Sequence, residues 1–110
     1  MLPSRSCSTP PSPHSVEKIE LSSNRQKEQW FIDLNPNGRI PVLVDREHKP
    51  EAFSVFESAA ILLYLVRKYD TQGIFSFPAG SDDESVMLQW IFFAVSYFVL
   101  TMVLLVTCVP

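Results

Sequence analysis

The sequence is poor in several things, and each shortage removes a class of function. It has two cysteines, Cys7 and Cys108, at opposite ends of 110 residues. Two cysteines so placed make neither a disulfide framework nor a metal-ligating set, and a reducing compartment such as the cytoplasm is their default. Charge of neither sign is in large excess. A formal net charge of −3 leaves no basic footprint for nucleic acid. The N-terminus has no apolar core of the kind a signal peptide needs. Residues 1–13 carry Pro3, Pro10, Pro11 and Pro13 and no hydrophobic periodicity, so they read as a disordered Ser/Pro-rich segment. Cys7-Ser8-Thr9-Pro10 has no apolar strand before it and no helix after it, which argues against a thiol-type active-site loop. The run from Val86 to Pro110 has no charged residue at all.

What is present fits one small domain. Apolar residues make up 46% of the chain and crowd toward the C-terminus. Ser15 to Leu21 alternates, with Val16, Ile19 and Leu21 apolar, and predicts an edge-type strand. Arg25 to Leu34 carries Trp30, Phe31 and Leu34 at helical spacing and predicts a short helix. Asn35-Pro36-Asn37-Gly38 predicts a turn in which Asn37 or Gly38 takes a positive φ. Val42 to Val44 and Phe53 to Phe56 predict two strands, joined by a polar turn from Asp45 to Glu51. A helix should follow from Ser58 to about Tyr69, with Ile61, Leu62, Leu65 and Tyr69 as its core face and Arg67 and Lys68 at its negative end. Ser81-Asp82-Asp83-Glu84 reads as a capping box that starts another helix near Asp82.

The strand-to-helix junction is the candidate site. Ser58 is a natural N-cap, and Glu57 puts a carboxylate beside the positive helix end. Together they can hold an amino acid's own charges. Glu57 takes the ammonium, while Ser58 and the free N–H groups take the carboxylate. A plain helix cap is the competing reading of the same two residues.

Asn35-Pro36-Asn37-Gly38-Arg39-Ile40-Pro41-Val42-Leu43-Val44-Asp45, followed by Val55-Phe56-Glu57-Ser58-Ala59-Ala60-Ile61-Leu62-Leu63-Tyr64-Leu65, resembles the glutathione-binding half of a glutathione transferase. The likeness runs from about His14 to about Ala94 and points to the fungal branch related to the yeast nitrogen-catabolite regulator. It implies an α/β fold: a thioredoxin-like glutathione-binding domain, here incomplete because the first βα unit is missing, followed by a long apolar C-terminal helix. The expected divisions are a disordered segment (1–13), the partial domain (14–72), a linker (73–81) and the apolar helix (82–110). The resemblance also implies that Ile40-Pro41 is a cis bond and that the Ile40 backbone pairs with the cysteinyl part of glutathione. Gln26 and Arg39 would approach the glycyl carboxylate, and Glu57 and Ser58 the γ-glutamyl head. Pro41 would help hold the cysteinyl backbone. Glutathione would be the substrate, with no metal. No catalytic residue is assigned, because the resemblance puts the thiol-activating residue after an opening strand that residues 1–13 do not supply.

Three functions follow as expectations. One is thiolate conjugation of glutathione to electrophiles, with this chain catalytically incomplete. The second is a non-catalytic interaction or regulatory module, and the third a membrane-anchored or defective fragment. The uncharged tail is long enough for a transmembrane helix, since about 20 residues cross the hydrocarbon core, and residues 86–109 would be the membrane contact. A tail anchor, a bundle helix awaiting a partner domain and translated non-coding sequence all fit that run. The resemblance further admits a homodimer.

Overall fold

The computed structural model describes residues 14–47 and 50–107. A 3-10 turn at Arg25–Lys27 leads into helix α1 (Gln29–Leu34). Strands β1 (Val42–Asp45) and β2 (Phe53–Phe56) form an antiparallel hairpin, and helices α2 (Ser58–Tyr69) and α3 (Asp82–Thr107) follow. The register pairs Val42 with Phe56, Leu43 with Val55, Val44 with Ser54 and Asp45 with Phe53. The chain thus has the α/β character expected of it, with a two-stranded sheet among the described residues. Residues 1–13 lie outside the described residues, as does Pro110.

The predicted strand at Ser15–Leu21 is not formed. Its alternation slips once, at Glu17-Lys18, and a strand exists only through a neighbour's N–H and C=O groups. No described strand lies beside it, and Val16 is left 86% exposed. The core is correspondingly thin. Phe31 at 3% and Ala59 at 8% are the buried apolar residues among those described. Phe31 sits on α1, where Trp30 meets it edge-on at 5.5 Å between ring centres.

Helix α2 runs over the residues the sequence predicts, but its core face is different. Leu62 is 54% exposed and Tyr69 46%. The helix is shared between the hairpin and α3, so its apolar residues point two ways. Tyr64 lies over Phe53, 5.6 Å between ring centres, while Leu62 faces α3. The basic C-terminal turn does more than oppose the dipole. Lys68 pairs with Asp45 at 2.6 Å and Arg67 with Glu84 at 3.5 Å.

Asp45 is the last residue of β1 rather than the start of the turn, and it is buried. Its Oδ2 accepts from Lys68 Nζ (2.6 Å), Tyr64 Oη (2.6 Å) and Tyr69 Oη (2.7 Å), and its Oδ1 from the Glu47 N–H (2.9 Å). A carboxylate taken out of water needs such partners. The Lys68 ammonium, then the Tyr64 and Tyr69 hydroxyls, hold the Asp45 carboxyl far below the usual carboxylate range. The bond to Asp45 holds Lys68 above the usual lysine range, and Tyr69's own bond to Asp45 raises Tyr69.

The linker is ordered around Asp70. Its carboxylate accepts from the Ile74 and Phe75 N–H groups and from Ser76 Oγ, each at 2.8 Å. Partial burial works to raise its pKa, but these bonds outweigh it and the net shift is downward. The capping box starts α3 as predicted, with the Glu84 N–H donating to Ser81 Oγ at 3.1 Å. The return bond lands one residue early. Glu84 Oε2 accepts from the Gly80 N–H at 2.6 Å, because the Ser81 N–H is engaged by the Pro78 carbonyl.

The membrane expectation for residues 86–109 is corrected. Among the described residues no helix is long and apolar enough to cross a membrane. The early turns of α3 spend apolar residues on protein. Met87, Ile91 and Val95, four apart, line a groove of about 520 Å³ with Leu62 and Phe77.

The Asp45 network predicts a pH signature. A carboxylate with a depressed folded pKa contributes stability that is complete above its unfolded value, about 4, and lost as pH falls through the folded value. Asp45→Asn should therefore melt below the native chain by a constant margin from neutral pH down to about pH 4, and the margin should narrow below it. Thermal unfolding followed by circular dichroism across that range checks this.

Candidate functional site

The hairpin register builds the site. The ladder ends with Val42 opposite Phe56, so Pro41, which enters β1, and Glu57, which leaves β2, lie at the same end of the hairpin. Both sequence motifs therefore meet at one open end of the hairpin. Ile40-Pro41 is cis, as the resemblance implied. Ile40, Pro41, Glu57 and Ser58 are all exposed, leaving this end accessible.

The junction differs in one respect from the sequence expectation. Glu57, not Ser58, is the N-cap, and Ser58 is the first helical residue. The turn from β2 into α2 is taken up at Glu57, whose φ of 73° lies where side chains other than glycine are strained. Such strain costs on the order of 1–3 kcal/mol and persists only where the surroundings impose it. No side chain caps the helix. The first intrahelical bond runs from the Ile61 N–H to the Glu57 carbonyl at 2.9 Å. The N–H groups of Ser58, Ala59 and Ala60 thus have no partner within the helix. They point out of the N-terminus beside the Ser58 hydroxyl and the Glu57 carboxylate.

The second half of the site lies on the loop before β1. Gly38, not Asn37, takes the positive φ, at 58°. The reason is steric as well as conformational. A Cβ there would lie 2.8 Å from the Gln26 carbonyl oxygen, 2.9 Å from Ile32 Cδ1 and 3.0 Å from Lys27 Cδ. This contact brings the Gln26 turn under the loop that carries Arg39. Gln26 Oε1 is buried with no hydrogen-bond partner among the described residues, and Arg39 is exposed. Gln26 and Arg39 therefore belong to one region by loop packing, and the Ile40 and Glu57 groups to the adjoining one.

Two features escaped the sequence reading. Asn35 is 2% exposed, and its side chain bonds the Arg39 carbonyl at 2.7 Å and the Asn37 N–H at 3.0 Å. Its position before a proline in a turn was the available signal. The other is the Asp45, Tyr64, Lys68 and Tyr69 cluster. Its spacing on α2 was visible, but the partner strand end was not.

The fold, the cis bond and the open helix end together define a class, and the comparisons agree. The sequence profile of the family described as "Glutathione S-transferase, N-terminal domain" matches residues 13–67. This chain belongs to the glutathione S-transferase family. It is similar to glutathione S-transferase 1 of Schizosaccharomyces pombe, 40% identical over 83 residues, covering 76% of this chain and 35% of that protein. It is similar also to protein URE2 of Debaryomyces hansenii, 34% identical over 86 residues, with 76% and 27% covered. The fungal branch indicated by the motif is thereby supported. The crystal structure of a glutathione transferase homolog from Lodderomyces elongisporus, with two GSH per subunit, matches at TM-score 0.71 and 40% identity, over 74% of this chain and 38% of that one. The chain spans about a third of the length of these relatives.

Gly38→Ala tests the loop. A left-handed backbone costs a side chain about 1–2 kcal/mol, and the Gln26 carbonyl 2.8 Å away cannot swing aside as a side chain would. Chemical denaturation should show at least that loss of stability.

Proposed function

We propose that this chain recognises glutathione, as the N-terminal half of a transferase of the fungal branch. The observation that carries the reading is the junction at Glu57-Ser58, with three N–H groups free of intrahelical partners, a hydroxyl and a carboxylate at the end of the hairpin that Ile40-Pro41 enters. Ser58 and the α2 N-terminus take the γ-glutamyl carboxylate, and Glu57 takes its ammonium. The Ile40 backbone, next to Pro41, pairs with the cysteinyl residue. Arg39 and the Gln26 amide N–H groups take the glycyl carboxylate. Solved relatives determined with GSH, such as the Lodderomyces protein, support this choice of ligand. A reducing, cytoplasmic setting suits it, because it keeps the ligand a thiol.

The chemistry the family relationship suggests is attack of a glutathione thiolate on an electrophile. The groups assigned here bind and orient the peptide, and none is placed to lower the thiol pKa. We therefore propose binding without conjugation by this chain alone. Conjugation of a model electrophile by the purified 110-residue chain would overturn that. A second reading, an interaction module, draws on Val86, Trp90, Phe93 and Tyr97, which lie exposed along α3. A protein partner whose binding ignores added glutathione would select it.

Calorimetric titration with glutathione tests the main reading. Ser58→Ala should weaken binding roughly 10- to 100-fold, as expected for lost bonds to a charged group. Glu57→Gln should weaken it too, and more for glutathione than for an analogue lacking the α-amino group. Unchanged affinity in both variants would remove the assignment.

A further inference from the structure

We propose that Asn35 is a positioning residue for the ligand-pairing backbone of Ile40, acting through the Arg39 carbonyl. The proposal rests on the glutathione reading above and concerns a residue that reading does not use. Asn35 is buried at 2% exposure, beneath the loop. Its main-chain N–H bonds the Phe31 carbonyl at 2.9 Å, which ties it to the end of α1. Its main-chain carbonyl accepts from the Gly38 N–H at 2.8 Å. Its side chain donates through Nδ2 to the Arg39 carbonyl at 2.7 Å and accepts through Oδ1 from the Asn37 N–H at 3.0 Å. One residue thus fastens every turn of the loop from α1 to Arg39.

The decisive bond is the one to Arg39. The Arg39 C=O and the Ile40 N–H belong to one planar peptide unit, and in a trans unit they point in opposite directions. The Arg39–Ile40 bond is not among the cis bonds. Holding the carbonyl down onto Asn35 therefore turns the Ile40 N–H outward, to the side where an extended peptide would pair with it. Only an amide does both jobs. A carboxylate of the same shape still accepts from Asn37 but cannot donate to Arg39, and a methyl group does neither.

The test uses the full 110-residue chain with Asn35→Asp and Asn35→Ala, two probes and one ligand-free measurement. Glutathione uses the whole site, and γ-glutamyl methylamide only its Glu57-Ser58 end. Asn35→Asp should weaken glutathione about tenfold while leaving γ-glutamyl methylamide within about twofold. Without ligand, the Ile40 amide resonance should move in both variants. The Asn37 amide should lose hydrogen-exchange protection only in Asn35→Ala, so either variant decides the question if the other fails to fold. Native-like glutathione affinity in a folded variant would overturn the proposal, as would equal loss for both probes, which signals general damage. A native chain that binds no glutathione would overturn the functional reading instead. The Ile40 resonance would then decide the positioning of the backbone by itself.

Discussion

Asp45 stands where the hairpin meets α2, and the rest of the molecule is arranged around the need to satisfy its carboxylate. A charge held away from water must be paired and hydrogen-bonded. Here the partners are Lys68, Tyr64 and Tyr69, three residues of the last two turns of α2. They can reach one oxygen only if the helix lies across the end of β1 at one rotation and one height. With so few apolar residues fully buried, this polar junction supplies much of the definition that packing provides in a larger domain. It fixes the C-terminal end of α2, and the hairpin register fixes the other end. The residues of the proposed site lie at the end of the hairpin and helix remote from that network.

That separation explains how a small unit can keep an exposed site in shape. The loop before β1 is pinned from below by Asn35, and the turn after β2 is forced through Glu57 at positive φ. Both constraints act on the backbone. Arg39, Glu57 and Ser58 are left exposed, and no side chain caps the helix.

Local chemistry was legible in the sequence where it was self-contained. The hairpin strands, the bounds of α2, the Ser81 cap and the Gly38 turn all rest on residues close together in the chain. The cis bond at Ile40-Pro41 was legible once the motif was read as a family pattern. Features needing a distant partner were not legible. Ser15–Leu21 alternates with one slip, and pairing decides whether a strand exists. Lys68 looked like a charge set against the helix dipole until Asp45, 23 residues away, met it. Leu62 looked like core because periodicity reports amphipathicity and not which of two neighbours each residue will face. The uncharged tail showed the same ambiguity, since hydropathy alone does not distinguish a lipid-facing helix from one whose early turns line a groove against the protein.

The ends of α2 are treated unequally. At the C-terminus Lys68 and Arg67 lie close to the negative pole and are engaged by Asp45 and Glu84. At the N-terminus the positive pole is left open, with an acidic residue set beside it. A simple anion approaching that pole meets repulsion from Glu57, and a simple cation meets the outward N–H groups. A zwitterion that offers both charges a bond or two apart satisfies both at once, and only in one orientation. In a chain of net charge −3, the proposed recognition of a ligand's α-amino acid end therefore relies on the charge pattern at this end of the helix rather than on bulk attraction.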